Sequence, residues 1–255
     1  MNKALLPIVL IFCFLFLALV AAEPSSVLPS AEELLRDVRS FLPKDSLVIR
    51  GDMIVRKRKG IVAQSLKYEI FMKLGSQPQV ARYAIRDKSG RSIEQLTITR
   101  YPGAKPTLEY AKGNPLRAAD LPDLFGQIQN TDISWTDLSL SFLWWEGGTV
   151  TGTELLRGQS CFVVEVPRLA DKTDHRTASS AGGQYAKVIL WIDKKLHMIL
   201  QAEGYDSNNR LIRRLWVKSF KKINERWMIK DMEIQSYPAN HRTKLLVREV
   251  GAWEK

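Results

Sequence analysis

Cys161, His175, His197 and His241 are the residues with the most diagnostic chemistry in the 255-residue chain. Zinc sites gather such ligands at short spacings, and no two of these four stand that close in sequence. Cys161 falls in the alternating run Ser160 to Val166 and reads as a small hydrophobe of the core. A Cys–His nucleophile has no local signature behind it. The second candidate set is carboxylates: Asp193, Glu203, Asp206, Asp231 and Glu233 stand in or beside strand-like runs, and paired carboxylates perform glycoside hydrolysis. Period-two alternation puts Asp231 and Glu233 on one strand face with Trp227 and Ile229. Cross-strand pairing with Arg213, Arg214 or Lys218 is therefore the expected use of those two acids. No G-x-S-x-G elbow, phosphate-binding loop or dinucleotide fingerprint occurs. The residues call for no metal, no cofactor and no catalytic site.

The more telling segment is Asp132 to Trp145, DISWTDLSLSFLWW. Thr131 or Asp132 is placed to cap a helix, and Ile133, Trp135, Leu138, Phe142, Leu143 and Trp145 recur at spacings near three and four. Leu140 and Trp144 widen that apolar face. By spacing alone this is a core helix; it also reads as a lid over a half-open barrel, and a closed lid is core. The expected acyl-contact residues are Trp135, Leu138, Phe142, Leu143, Trp144 and Trp145 of the lid, with Trp191, Met198, Trp216 and Met232 of later strands.

The elements around that segment are read from pattern. Ser30-Ala31-Glu32-Glu33 forms a capping box, and Leu34, Leu35, Val38, Phe41 and Leu42 give a helical stripe ending before Pro43. From Leu47 the period changes to strands: Leu47 to Arg58, Ile61 to Leu74, Val80 to Asp87, Ser92 to Tyr101 and Thr107 to Ala111. Residues Asp120 to Trp145 interrupt this as an insertion. Strands resume at Thr149 to Leu156, Ser160 to Val166, Tyr185 to Ile192, Met198 to Tyr205, Leu211 to Lys222, Trp227 to Ser236 and Thr243 to Val250. Asp171 to Gly183 reads as a loop, and Asn208-Asn209 and Asn224-Glu225 as hairpin turns.

The fold class is mainly β (α+β): an incomplete antiparallel β-barrel of about 11 to 12 strands, with an N-terminal helix and a central helical lid. Val188-Ile189-Leu190-Trp191-Ile192 is apolar on both faces, so both must meet dry surroundings. If the sheet wraps only a few helices, its concave side keeps unfilled apolar surface. An acyl chain of about a dozen methylenes buried there would contribute roughly 10 kcal/mol gross, at about 0.8 kcal/mol each.

Residues 1–22 read as an export signal: Lys3, then an uncharged run from Ala4 to Val20, then the small exit Val20-Ala21-Ala22. A retained anchor is the competing reading. Residues 23–255 are expected to form one domain in the periplasm. Cys13 follows Phe12 and lacks the small residue that a lipoprotein signal needs before its modified cysteine. With the leader removed only Cys161 remains, which leaves no internal disulfide. The 38 Lys and Arg against 27 Asp and Glu give a formal net charge of +11, favouring anionic partners. Anionic lipid head groups or acidic protein surfaces suit an exported chain better than nucleic acid does.

Asn130-Thr131-Asp132, Asp137 to Trp145, Ala186 to Asp193 and Trp216 to Asp231 resemble bacterial outer membrane lipoprotein-sorting proteins, while the architecture and the short run Gly51 to Lys57 resemble the periplasmic lipoprotein carrier. The likeness covers nearly the whole of residues 23–255. It implies a non-enzymatic carrier, without cofactor, whose incomplete barrel and lid enclose acyl chains of a lipoprotein or another envelope lipid. It also implies peripheral membrane contact only, loading from an inner-membrane release complex and unloading at an outer-membrane acceptor. Two other classes remain open: an envelope lipid-sensing module that signals through a protein partner, and a secreted hydrolase of envelope glycans.

Overall fold

A computed structural model of the chain describes residues 28–169, 184–223, 226–238 and 241–252. The expected leader, the loop Asp171 to Gly183 with His175, and the turn Asn224-Glu225 lie outside the described residues.

Helix α1 spans Ala31–Ser40. Ser30 Oγ accepts from the Glu33 N–H at 3.2 Å while the Glu33 carboxylate accepts from the Ser30 N–H, closing the capping box. Ala31, Leu34, Leu35 and Val38 form its buried stripe. The strands that follow are β1 (Leu47–Arg56), β2 (Val62–Lys73), β3 (Gln79–Arg86), β4 (Ser92–Arg100), β5 (Thr107–Lys112) and β6 (Arg117–Ala119). After the insertion come β7 (Thr149–Leu156), β8 (Gln159–Pro167), β9 (Lys187–Asp193), β10 (Ile199–Tyr205), β11 (Leu211–Ile223), β12 (Arg226–Ser236) and β13 (Arg242–Ala252).

These form one 13-stranded antiparallel sheet in the order β6-β5-β4-β3-β2-β1-β13-β12-β11-β10-β9-β8-β7. Two meanders are joined where β1 pairs with β13, from Leu47 opposite Ala252 to Arg56 opposite Arg242. The sheet does not close. Its edges are β6 and β7, and the chain passes from one to the other through the insertion. The principal core joins one face of the sheet to α1 and the insertion, with Met53, Ile85, Leu96, Val164, Leu190, Ile192 and Ile234 all buried.

Two expectations need correcting. The three-residue β6 brings the strand count to 13, above the expected 11 to 12. The insertion is also not one helix: it holds a single α turn, α2 (Trp135–Leu138), then a 3-10 turn at Ser141–Trp144. The cap of α2 is Ser134, which forms a box with Asp137, rather than Thr131 or Asp132. Asp132 is fully buried and its carboxylate is taken by β12 and β13, so it cannot cap. Leu140, at φ 49°, then sits in the left-handed region and ends the helical path.

The two-sided apolar strand is explained. Val188, Leu190 and Ile192 of β9 face the core, while Trp191 on the other face joins Cys161 and Val163 in a separate small cluster, with Ile189 and Leu200 packed against it.

Candidate functional site

An apolar cavity of about 170 Å³ lies against the middle of the sheet. Its wall is built from alternate residues of central strands: Ile49 of β1, Tyr68, Ile70 and Met72 of β2, Ala81 and Tyr83 of β3, Met228 and Met232 of β12, and Leu245 and Val247 of β13. Its roof is Val38, Phe41, Leu42 and Pro43 at the end of α1, with Leu138 to Leu140, Leu143 and Trp144 of the insertion. Phe41 and Trp227, both about half exposed, stand in the lining, so aromatic side chains reach from the cavity to solvent.

Two basic side chains interrupt this surface. His197 Nδ1 faces Asp37 Oδ2 at 3.2 Å, and its ring meets Phe41 edge-on at 6.4 Å. Arg100, the last residue of β4, stacks on Trp144 with 3.9 Å between its guanidinium carbon and the indole centroid. Burial lowers the Arg100 pKa. A further roof contact comes from Arg39 of α1, whose guanidinium donates to the Leu143 carbonyl.

The insertion is fastened at its opposite half by three buried carboxylates. Glu94 of β4 accepts from Gln129 Nε2 at 2.9 Å and from the Tyr110 hydroxyl. Asp132 accepts from the Ser236 N–H at 3.2 Å and the Thr243 hydroxyl at 2.9 Å, with His241 Nδ1 3.0 Å away. Asp137 accepts from Ser134 and from the Tyr185 hydroxyl, and Arg213 Nη1 lies 3.6 Å from its Oδ2. Burial, reinforced by Asp137, pushes the Tyr185 phenol well above its usual range. Burial pulls the Arg213 guanidinium down, but Asp137 and then Tyr185 outweigh it and keep it raised. Asp137 and Arg213 thus form a matched pair in a dry setting.

Of the ten expected acyl-contact residues, five line the cavity: Leu138, Leu143, Trp144, Met198 and Met232. The other five are elsewhere. Trp135 and Phe142 are core residues, packed edge-on against Tyr110 and Trp145 respectively. Trp145 is half-buried against the same core. Trp191 lies on the opposite sheet face and donates Nε1–H to Glu154 at 2.8 Å. Trp216 shares that face, paired with Gln201 and Glu233, with the Lys218 ammonium 5.8 Å from its ring. Alternation from Leu190, Ala202 and Leu215, which pair across β9 to β11 and join the core, sends both tryptophans outward.

Sequence reading missed Arg100, Tyr68, Tyr83, Met228 and the end of α1 as cavity residues. The signal for Arg100 was present: Leu96, Ile98 and Arg100 are spaced by two, so a core-facing strand ends in a core-facing cation. The candidate carboxylates are held in structural contacts. Asp193 accepts from the Lys195 and Leu196 N–H groups, Glu203 pairs with Arg214 at 2.6 Å, and Asp206 closes its hairpin with Arg210. Asp231 accepts from Ser219, and Glu233 lies 3.5 Å from Arg242 and 3.9 Å from Lys218. Among the described residues no group of His, Cys, Asp and Glu is arranged to hold a metal ion, and no helix is long and apolar enough to cross a membrane.

An open antiparallel sheet wrapped on a helix and a roofed apolar cavity defines the incomplete-barrel class. A family model described as an uncharacterized protein matches residues 116–253, more than half of the chain, and the chain belongs to that family. Its fold is the one expected from the likeness to outer membrane lipoprotein-sorting proteins. A DUF1329 family protein from Desulfovibrio piger superposes with a TM-score of 0.69 at 14% identity, over 87% of this chain and 91% of that one. A putative outer membrane lipoprotein-sorting protein domain from Vibrio parahaemolyticus gives 0.68 at 14% identity, over 87% and 91%. A LolA superfamily protein from Nitrosomonas europaea gives 0.64 at 14% identity, over 89% and 96%. No curated protein matches the chain in sequence.

Proposed function

We propose that the protein is a non-enzymatic carrier in the bacterial periplasm that holds acyl chains of a lipoprotein, or of another envelope lipid, under the roof formed by α1 and residues 138–144. The observation that carries this reading is the cavity: about 170 Å³ of space lined almost wholly by apolar side chains, with aromatic groups at its mouth. An apolar cavity of about 150 Å³ takes in a benzene ring. The closed form therefore has room for the beginning of a tail, and a whole acyl chain requires the roof to be displaced.

The fastening of the insertion supports such a displacement. Residues 131–137 are locked to the sheet by buried charged hydrogen bonds, which are costly to break. Residues 140–144 are held at the cavity by apolar packing, one cation stack and one hydrogen bond to a backbone carbonyl, contacts that an incoming chain can replace. Leu140 in the left-handed region marks the change between the two halves. Cargo released at an inner-membrane complex would enter at this mouth and leave towards an outer-membrane acceptor.

Native mass spectrometry of protein purified from an envelope fraction, together with intrinsic tryptophan fluorescence during titration with an acylated peptide, tests the reading. Retained lipid and a shifted emission spectrum are expected. A protein that carries no lipid and gives a flat titration is not an acyl carrier.

A further inference from the structure

Arg100 is an uncommon residue to find in an apolar cavity wall. Its guanidinium carbon lies over the Trp144 ring at 3.9 Å, a cation–π contact that uses no hydrogen-bond acceptor and so leaves the N–H donors unmatched. Among the described residues no carboxylate pairs with it and no acceptor takes its hydrogen bonds; the opposing influence on its lowered pKa is the phenol of Tyr83. The other basic group in the lining, His197, already has Asp37 at 3.2 Å. Arg213, buried at the far half of the insertion, has Asp137 at 3.6 Å. A partly desolvated guanidinium without an anion carries an uncompensated cost, which an oxyanion arriving with the ligand would remove through charge-assisted, bidentate hydrogen bonds.

We propose that the cavity takes a single-chain amphiphile with a carboxylate head, its tail against Ile49, Ile70, Met72, Met228, Met232 and Leu245 and its carboxylate on Arg100. One unpaired cation matches one negative charge. A phosphate monoester would bring excess charge into the cavity, and an uncharged head would leave the guanidinium unmatched. The proposal rests on the acyl-binding reading above and narrows its cargo to a fatty-acid-like lipid.

Isothermal titration with monomeric palmitate, hexadecanol and palmitoyl lysophosphatidic acid at neutral pH separates the two claims. Palmitate is expected to bind about tenfold tighter than hexadecanol, equivalent to about 1.4 kcal/mol. Arg100→Gln should remove that preference while leaving hexadecanol affinity within about twofold, and Arg100→Lys should restore part of it. Equal affinity of the folded wild-type protein for palmitate and hexadecanol overturns the head-group assignment and leaves acyl binding standing, whether or not the variants fold. Tighter binding of the lysophosphatidic acid than of palmitate overturns the choice of carboxylate. Binding of none of the three overturns both claims.

Discussion

The hydroxyl of Tyr185 donates to Asp137 Oδ1 at 2.6 Å, joining the residue that leads into β9 to the one helical turn of the insertion. Both side chains are buried, and Arg213 from β11 completes the cluster 3.6 Å from the other carboxylate oxygen. This contact fastens the first half of the insertion, while residues 138–144 lie over the cavity.

Tyr185→Phe removes the donor and is expected to lower stability by about 1.5–3 kcal/mol, the range for a hydrogen bond to a charged group. Gly204→Ala attacks the same contact from the side, because a Cβ there would lie 2.3 Å from Tyr185 Cε1. It should cost at least as much, through overpacking. Since both act through one ring, the double variant should lose clearly less than the sum of the singles in urea unfolding. Strict additivity would show that the two positions do not share this contact.

Asp132→Ala strips partners from the Ser236 N–H and the Thr243 hydroxyl in a fully buried setting. A loss of about 3 kcal/mol is expected, with the largest rise in amide exchange over residues 128–137. A midpoint of unfolding equal to that of the wild type would remove Asp132 from its anchoring role.

Trp144 is the tryptophan that both lines the cavity and caps Arg100. Trp144→Phe should therefore remove most of the fluorescence change produced by an acylated peptide. Trp191→Phe and Trp216→Phe, on the opposite sheet face, should preserve it. The reverse pattern would place the ligand outside the cavity described.

Burial, with a further push from Asp193, raises the Cys161 thiol to about 11 from a reference of 9.0. Its folded pKa is above its unfolded one, so its contribution to stability is complete below about pH 9 and is lost as pH rises towards about 11. Reaction with a disulfide reagent at pH 8 should be slow in the native protein and fast in urea. Equal rates in the two states would mean that the thiol is accessible and ionised.

Trp135 and Trp191 show where the sequence stops being sufficient. Both are large, apolar and in segments of expected regular structure, and both looked equally fit for a ligand. Trp135 belongs to the principal core and Trp191 lies on the other side of the sheet. Alternation along β9 does separate Trp191 from Leu190, but a strand that is apolar on both faces does not reveal which face is concave. The α1 capping box and the strand spans were readable because they are local: a serine and a glutamate three apart, or a change in period from near four to two.

The insertion marks the same boundary. Its composition announced a buried apolar segment, and its spacing suggested one continuous helix capped at Thr131 or Asp132. The chain forms one α turn instead, because Asp132 is claimed by Ser236 and Thr243, residues more than a hundred positions away.

Local pattern, meaning the period of apolar residues, caps and turns, determined that this chain makes an antiparallel sheet with an N-terminal helix and an apolar interruption between two meanders. Tertiary structure alone decided that β1 joins β13 and that Arg100 and Trp144 meet at a cavity. Those outcomes depend on pairings between distant segments, whose energies are set by shape and desolvation once the sheet has curved, and no local spacing encodes them.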